Sequence, residues 1–165
     1  LWTDLAQSME IGYETNKGNK ENSQISNIAF EDITVLYNFH KPVISIHNRD
    51  DALVEEILFQ NITVENALMG RGDAGENNQL IDFGIMNNGG WSTTKERGQI
   101  KNVTIDGVNV LSGDFPPSKI AGFDETHIIE NVTIKNLNIL GKSMKDFESG
   151  KFEIDEQTTK NITIE

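Results

Sequence analysis

Ile129-Glu130-Asn131-Val132-Thr133-Ile134-Lys135-Asn136-Leu137-Asn138-Ile139 decides the fold, because the chain writes it more than once. The same arrangement occurs as Ile25-Ser26-Asn27-Ile28-Ala29-Phe30-Glu31-Asp32-Ile33-Thr34-Val35, again from Val54 to Val64, from Ile100 to Val110, and in shortened form from Thr159 to Glu165. The copies begin at residues 25, 54, 100, 129 and 159, so the return is every 29 or 30 residues except across one interval of 46, which holds 17 extra. Within a copy the apolar residues alternate with polar ones and are β-branched or aromatic, as in Ile28, Phe30, Ile33 and Val35. That is a strand with one face inward. The alternation slips midway, between the sixth and ninth positions. A straight strand would turn its second half outward there, so a corner is expected at Glu31-Asp32, Gln60-Asn61, Asp106-Gly107 and Lys135-Asn136. Asp, Asn and Gly tolerate the left-handed backbone that a tight corner needs.

Between the copies lie further strand candidates: Met9 to Tyr13, Val43 to His47, Leu80 to Ile85, Lys119 to Phe123 and Gly150 to Ile154. Each repeat is therefore expected to supply about three short strands and no amphipathic helix. The fold class predicted is all-β, a parallel β-helix of about five coils. Like residues would then stack at about 4.8 Å, with Asn27, Asn102, Asn131 and Asn161 forming an amide ladder along one corner. A leucine-rich repeat would be shorter, Leu-dominated and partly helical. A β-sandwich gives no reason for a constant return. Residues 1–165 read as one domain, with a loop insertion within 65–99.

The composition narrows the partners. With 14 Lys and Arg against 26 Asp and Glu, the 165-residue chain carries a formal charge of −12. Such a surface repels phosphate, which disfavours nucleic acid and anionic lipid. An apolar share of 36% is low for a globular domain but too high for a disordered chain. No apolar run approaches the roughly 20 residues of a membrane span. The absence of Cys removes disulfides, thiol catalysis and Cys-ligated zinc. The chain opens at Leu1-Trp2 without Met and closes on a strand-like segment, so it reads as part of a longer protein.

The Ile-x-Asn-Val-Thr-Ile rungs resemble those of the right-handed parallel β-helix carbohydrate enzymes of the pectin-lyase-like superfamily, in particular the polygalacturonase-type and dextranase-type glycoside hydrolases. The resemblance runs from about Met9 to Glu165. The polygalacturonase motifs Asn-Thr-Asp, Asp-Asp and Gly-His-Gly are absent as an ordered set; Asp50-Asp51 is an isolated pair. Ser8-Met9-Glu10-Ile11-Gly12 is similar in shape to the family's Arg-Ile-Lys segment, with Glu10 at the Arg position and Gly12 at the Lys position. The family's cations hold uronate carboxylates and a Glu would repel them, so the resemblance implies a neutral glycan. It also implies that the catalytic acids lie mainly upstream of Leu1, that this piece is the C-terminal coils, and that it is inactive alone.

Glycoside hydrolysis needs two carboxyl groups on one wall, about 5 to 9.5 Å apart. If Met9, Ile11, Ile44, Ile46, Ile81 and Phe83 face inward, then Glu10, Gly12, Ser45, His47, Asp82 and Gly84 face outward on one sheet. Glu10 and Asp82 would then lie two strands apart, about 9.6 Å, and are the candidate catalytic pair. The plainer reading is that they are solvated surface acids. Trp2, Tyr13 and Trp91 are candidates to stack on sugar rings, Trp91 from Asn87-Asn88-Gly89-Gly90-Trp91-Ser92 in the insertion and Trp2 near Asp4. Trp91 serves equally as a cap on its own loop. His47, in His47-Asn48-Arg49-Asp50-Asp51, is a candidate substrate-binding residue or proton carrier, but such a cluster reads first as a hydrogen-bonded turn. His40 and His127 have no useful company. The oxygen-rich loop Gly70 to Asn77, with its Arg71-Gly72-Asp73 triplet, lacks calcium-loop spacing. The Asn-x-Thr triplets at Asn61, Asn102, Asn131 and Asn161 follow from corner Asn and strand Thr. No metal and no cofactor is called for.

The functional expectation is the C-terminal part of a secreted, extracellular or periplasmic glycoside hydrolase acting on a neutral polysaccharide or oligosaccharide. The alternative is a β-helix binding or adhesin module without chemistry. Open coil ends would favour self-association.

Overall fold

The computed structural model describes residues 1–3, 7–16, 18, 24–38, 41–67, 79–87, 89–90, 92–114 and 116–165. Among them the only regular elements are strands. In chain order these are β1 (Trp2–Thr3), β2 (Met9–Tyr13), β3 (Gln24–Val35), β4 (Tyr37–Asn38), β5 (Ile44–Asn48), β6 (Leu53–Val64), β7 (Ile81–Ile85), β8 (Gln99–Val110), β9 (Ser118–Ala121), β10 (Ile129–Ile139), β11 (Lys142–Ser143), β12 (Phe152–Ile154) and β13 (Thr159–Ile164).

The molecule is all-β with parallel sheets. A long-strand sheet runs β11-β10-β8-β6-β3, with β13 also on β10, and a short-strand sheet runs β12-β9-β7-β5-β2. A small third sheet joins β1 and β4. Every pairing is parallel except that of β10 with β11. The chain visits the short sheet and the long sheet alternately, so each parallel neighbour is reached through a strand of the other sheet.

Register follows the repeat. Ile28, Ile57, Val103, Val132 and Ile162 lie side by side across the long sheet, as do Phe30, Phe59, Ile105, Ile134 and Ile164. The inward rows of the two sheets meet in one core, where Phe59, Ile62 and Ile105 join Ile44, Ile46, Ile81 and Phe83. Phe30 stacks on Phe59 with ring centroids 5.0 Å apart, and Phe59 lies 6.3 Å from Phe83. Each such fully buried side chain contributes about 1.5–3 kcal/mol. A one-residue slip would turn a whole inward row outward, so the apolar columns fix the pairing.

The corners are real but do not cut the strands. At the eighth copy position Asp32, Asn61, Gly107 and Asn136 have φ of 55°, 54°, 79° and 53°, and the ladder continues past them. Each full copy is thus one bent strand of 11 or 12 residues with one short partner strand, where three short strands were expected. A second corner stands at the third position, where Asn27, Glu56, Asn102, Asn131 and Asn161 have φ between 53° and 58°. This column holds the expected amide ladder at Asn102, Asn131 and Asn161, whereas Asn27 donates to the Ser26 hydroxyl instead. Asn161 Nδ2 donates to Asn131 Oδ1 at 3.0 Å, Asn131 Nδ2 to Asn102 Oδ1 at 2.9 Å, and Asn102 Nδ2 to Glu56 Oε1 at 2.8 Å. Glu56 replaces the amide in the second copy and still serves as acceptor.

Candidate functional site

The short sheet carries the candidate residues. Glu10, Ser45, Asp82 and Lys119 occupy one register row across β2, β5, β7 and β9, while Gly12, His47, Gly84 and Ala121 occupy the next row on the same face. Strand alternation points both rows away from the core residues Met9, Ile11, Ile44, Ile46, Ile81 and Phe83, as expected. The expectation of a solvated surface is corrected. Ser45 is wholly buried, and His47 and Asp82 are 4% and 7% exposed.

His47 sits between the two acids. Its Nδ1 lies 3.0 Å from Glu10 Oε2 and 3.1 Å from Oε1, and its Nε2 lies 2.9 Å from Asp82 Oδ2. Ionised carboxylates only accept hydrogen bonds, so both ring nitrogens must donate, and the ring is an imidazolium. Burial alone would lower the His47 pKa. The hydrogen bonds to Asp82 and Glu10 outweigh that and raise it to about 9. The Ser45 hydroxyl donates to Glu10 as well. The reading of His47 as part of a turn is corrected, since it lies inside β5. With both nitrogens taken and its ring covered, it positions the acids and does not itself reach a ligand. Gly12 is required beside it: at φ 144° a Cβ would stand 2.5 Å from the His47 carbonyl oxygen.

Tyr13 closes one side of this group. Its ring centroid is 5.2 Å from that of His47, and the Arg49 guanidinium carbon lies 3.7 Å above the Tyr13 ring. The Gln7 amide donates to the Tyr13 hydroxyl. Burial, then the charge of Glu10, pushes the Tyr13 pKa up. On the other side Asp82 borders a recess of about 250 Å³ lined also by Gln79, Gly84, Met86, Lys119 and Gly122. The Gln79 Oε1 beside it is buried without a hydrogen-bond donor among the described residues.

The remaining candidates fall elsewhere. Trp2 belongs to β1, paired with Tyr37 of β4, away from the short sheet; its side chain lies outside those described. Trp91, Asp4, His40 and the loop from Gly70 to Asn77 lie outside the described residues. Asp50 is a structural clamp. Its buried Oδ1 accepts from the Thr93 and Thr94 amides at 2.6 and 2.8 Å, and burial notwithstanding, these bonds lower its pKa. His127 does have company: its Nδ1 is 2.8 Å from Asp124 Oδ1, and that contact holds the Asp124 carboxyl well below the usual carboxylate range. Among the described residues no three His, Cys, Asp or Glu gather to hold a metal, and no helix is long and apolar enough to cross a membrane.

Sequence reasoning found Glu10 and Asp82 but missed what joins them. The signal was present, since His47 shares their face on the strand between them. Arg49 was named only as a neighbour of His47; its stacking on Tyr13 joins residues 36 apart past the end of β5, where alternation no longer guides the eye. No family model, curated protein or solved structure matches this chain.

Proposed function

We propose that this chain is a right-handed parallel β-helix of about five coils and the later part of a secreted polysaccharide-degrading glycoside hydrolase. What supports the winding is the alternation between two parallel sheets at a return of 29 or 30 residues, lengthened once to 46, with like residues in register. The observation that carries the functional reading is the Glu10–His47–Asp82 bridge beside a recess of about 250 Å³, large enough for roughly one sugar unit. Asp82 borders the recess, where its carboxylate accepts sugar hydroxyls, and Gln79 offers a second acceptor. Tyr13 supplies an aromatic surface nearby, although Arg49 covers one of its faces.

Glycosidic cleavage needs a carboxyl that gives up a proton and a carboxylate that does not. Here one imidazolium donates a hydrogen bond to each acid, so this site supplies the charged partner and the sugar contacts. The proton donor comes from outside this group, in keeping with catalytic acids mainly upstream. The same saturation of both acids favours the second reading, a binding module without chemistry. Affinity electrophoresis through neutral and acidic polysaccharides, with reducing ends assayed in parallel, separates the cases. Retention by at least one polysaccharide, weakened about tenfold or more by Asp82→Asn, is expected. Retention without new reducing ends in the longer protein selects the binding module, and no retention by any polysaccharide defeats both readings.

A further inference from the structure

We infer that Arg49 forms an oxyanion subsite, so that the ligand of this face carries a carboxylate or a sulfate. The ligand's being a carbohydrate rests on the reading above; the anion site does not. Arg49 is 8% exposed, and its guanidinium carbon stands over the Tyr13 ring, 3.7 Å from the centroid. Stacking satisfies the face of the guanidinium and leaves its in-plane donors. Its Nε is buried with no acceptor, and among the described residues no hydrogen bond or ion pair reaches the group. A guanidinium stays charged and has five donors in a planar fork, which matches two oxygens of a carboxylate or sulfate. Burying such a charge without a partner costs several kcal/mol. The fold keeps it there nonetheless.

The neighbouring charges do not supply that partner. Glu10 and Asp82 attract Arg49 only at longer range, because both are engaged by His47. One imidazolium lies between the two carboxylates, and Arg49 and Lys119 add positive charge on the same face. Glu10 therefore does not make this face repulsive to an acidic ligand, and the argument from Glu10 to a neutral glycan loses its force. Arg49 and the recess beside Asp82 flank the bridge on opposite sides. A ligand that spans the bridge places an anionic group at Arg49 and hydroxyls at Asp82 and Gln79.

The test is an NMR titration of the protein at constant ionic strength, following the Arg49 Nε–H and Tyr13 ring signals. The probes are glucose, glucuronate, glucose 6-sulfate and acetate. At least one anionic sugar is expected to shift both signals and to bind about tenfold or more tighter than glucose. Which of the two does so tells carboxylate from sulfate. Arg49→Gln should bring the anionic sugars down to the affinity of glucose, and Arg49→Lys should restore only part of the difference, because it keeps charge without the planar fork. The wild-type comparison needs no variant, so a poorly folded Arg49→Gln leaves the test intact. If acetate alone moves the Arg49 signal, the anion site stands and the carbohydrate reading falls. If glucose binds as well as the anionic sugars and the Arg49 signal stays still, the anion site is overturned while the carbohydrate reading stands. If no probe moves it, the anion site is overturned.

Discussion

Two columns of polar residues run across this molecule, and they are built on opposite plans. The corner column of the long sheet repeats one residue: Asn27, Asn102, Asn131 and Asn161 share a left-handed backbone, and the last three are joined amide to amide in the open. In the charged row on the outward face of the short sheet no two neighbours are alike. Glu10, Ser45, Asp82 and Lys119 follow one another, His47 reaches across from the next row, and Ser45, His47 and Asp82 are buried. An amide has both a donor and an acceptor, so identical neighbours satisfy each other indefinitely. Identical charges stacked at about 4.8 Å would repel, so a buried charged group must vary from strand to strand. Repetition therefore marks what holds the fold, and departure from repetition marks where buried charge is concentrated.

The largest effect is expected where the non-repeating group is broken. His47→Ala strips two buried carboxylates of their shared cation and should cost about 3–5 kcal/mol in urea unfolding. A loss under about 1 kcal/mol would place the two acids in solvent-like surroundings and erase the contrast between the columns. His47→Gln, which keeps a donor but no charge, should recover only part of the loss.

The charged group should also make stability depend on pH in a way the amide column cannot. Folding raises the His47 pKa from 6.5 to about 9. The native state then holds this proton more tightly than the unfolded chain. Its contribution is complete below about pH 6.5 and fades as pH rises through about 9. The fading should amount to roughly 3 kcal/mol across that window in denaturant midpoints, and His47→Gln should remove the His47 share of the slope.

The smallest effect belongs to the ladder. Asn131→Ala loses two exposed amide bonds and puts a Cβ-bearing residue without a local hydrogen bond at φ 58°, which should cost about 1–2 kcal/mol. Asn131→Gly keeps the corner and should cost less, though it adds entropy to the unfolded chain. Equal losses from the two would mean that the amide bonds, not the backbone, give Asn its place.

Much of this architecture could be read from the sequence because a stacked fold writes its register repeatedly. Ile28, Ile57, Val103 and Val132 announce one column by their spacing, and the slip before Ile33 announces the corner. The bend keeps its ladder because an αL residue such as Asp32 or Asn136 turns the chain without ending the pairing on either side. Glu10 and Asp82 were legible through alternation alone. His47 was misplaced because Asn48, Arg49, Asp50 and Asp51 make its sequence neighbourhood look like a turn, while its decisive partners lie 37 and 35 residues away. Asp124 and His127 were missed for the reverse reason: they meet across a local loop that belongs to no repeat.

The protonation of His47 tests the account most directly. A pH titration of its ring nitrogens by heteronuclear NMR should find both carrying protons through neutral pH, with an apparent midpoint at about 9. A midpoint at or below 6.5, with a single protonated nitrogen at neutral pH, would mean that no imidazolium joins Glu10 to Asp82.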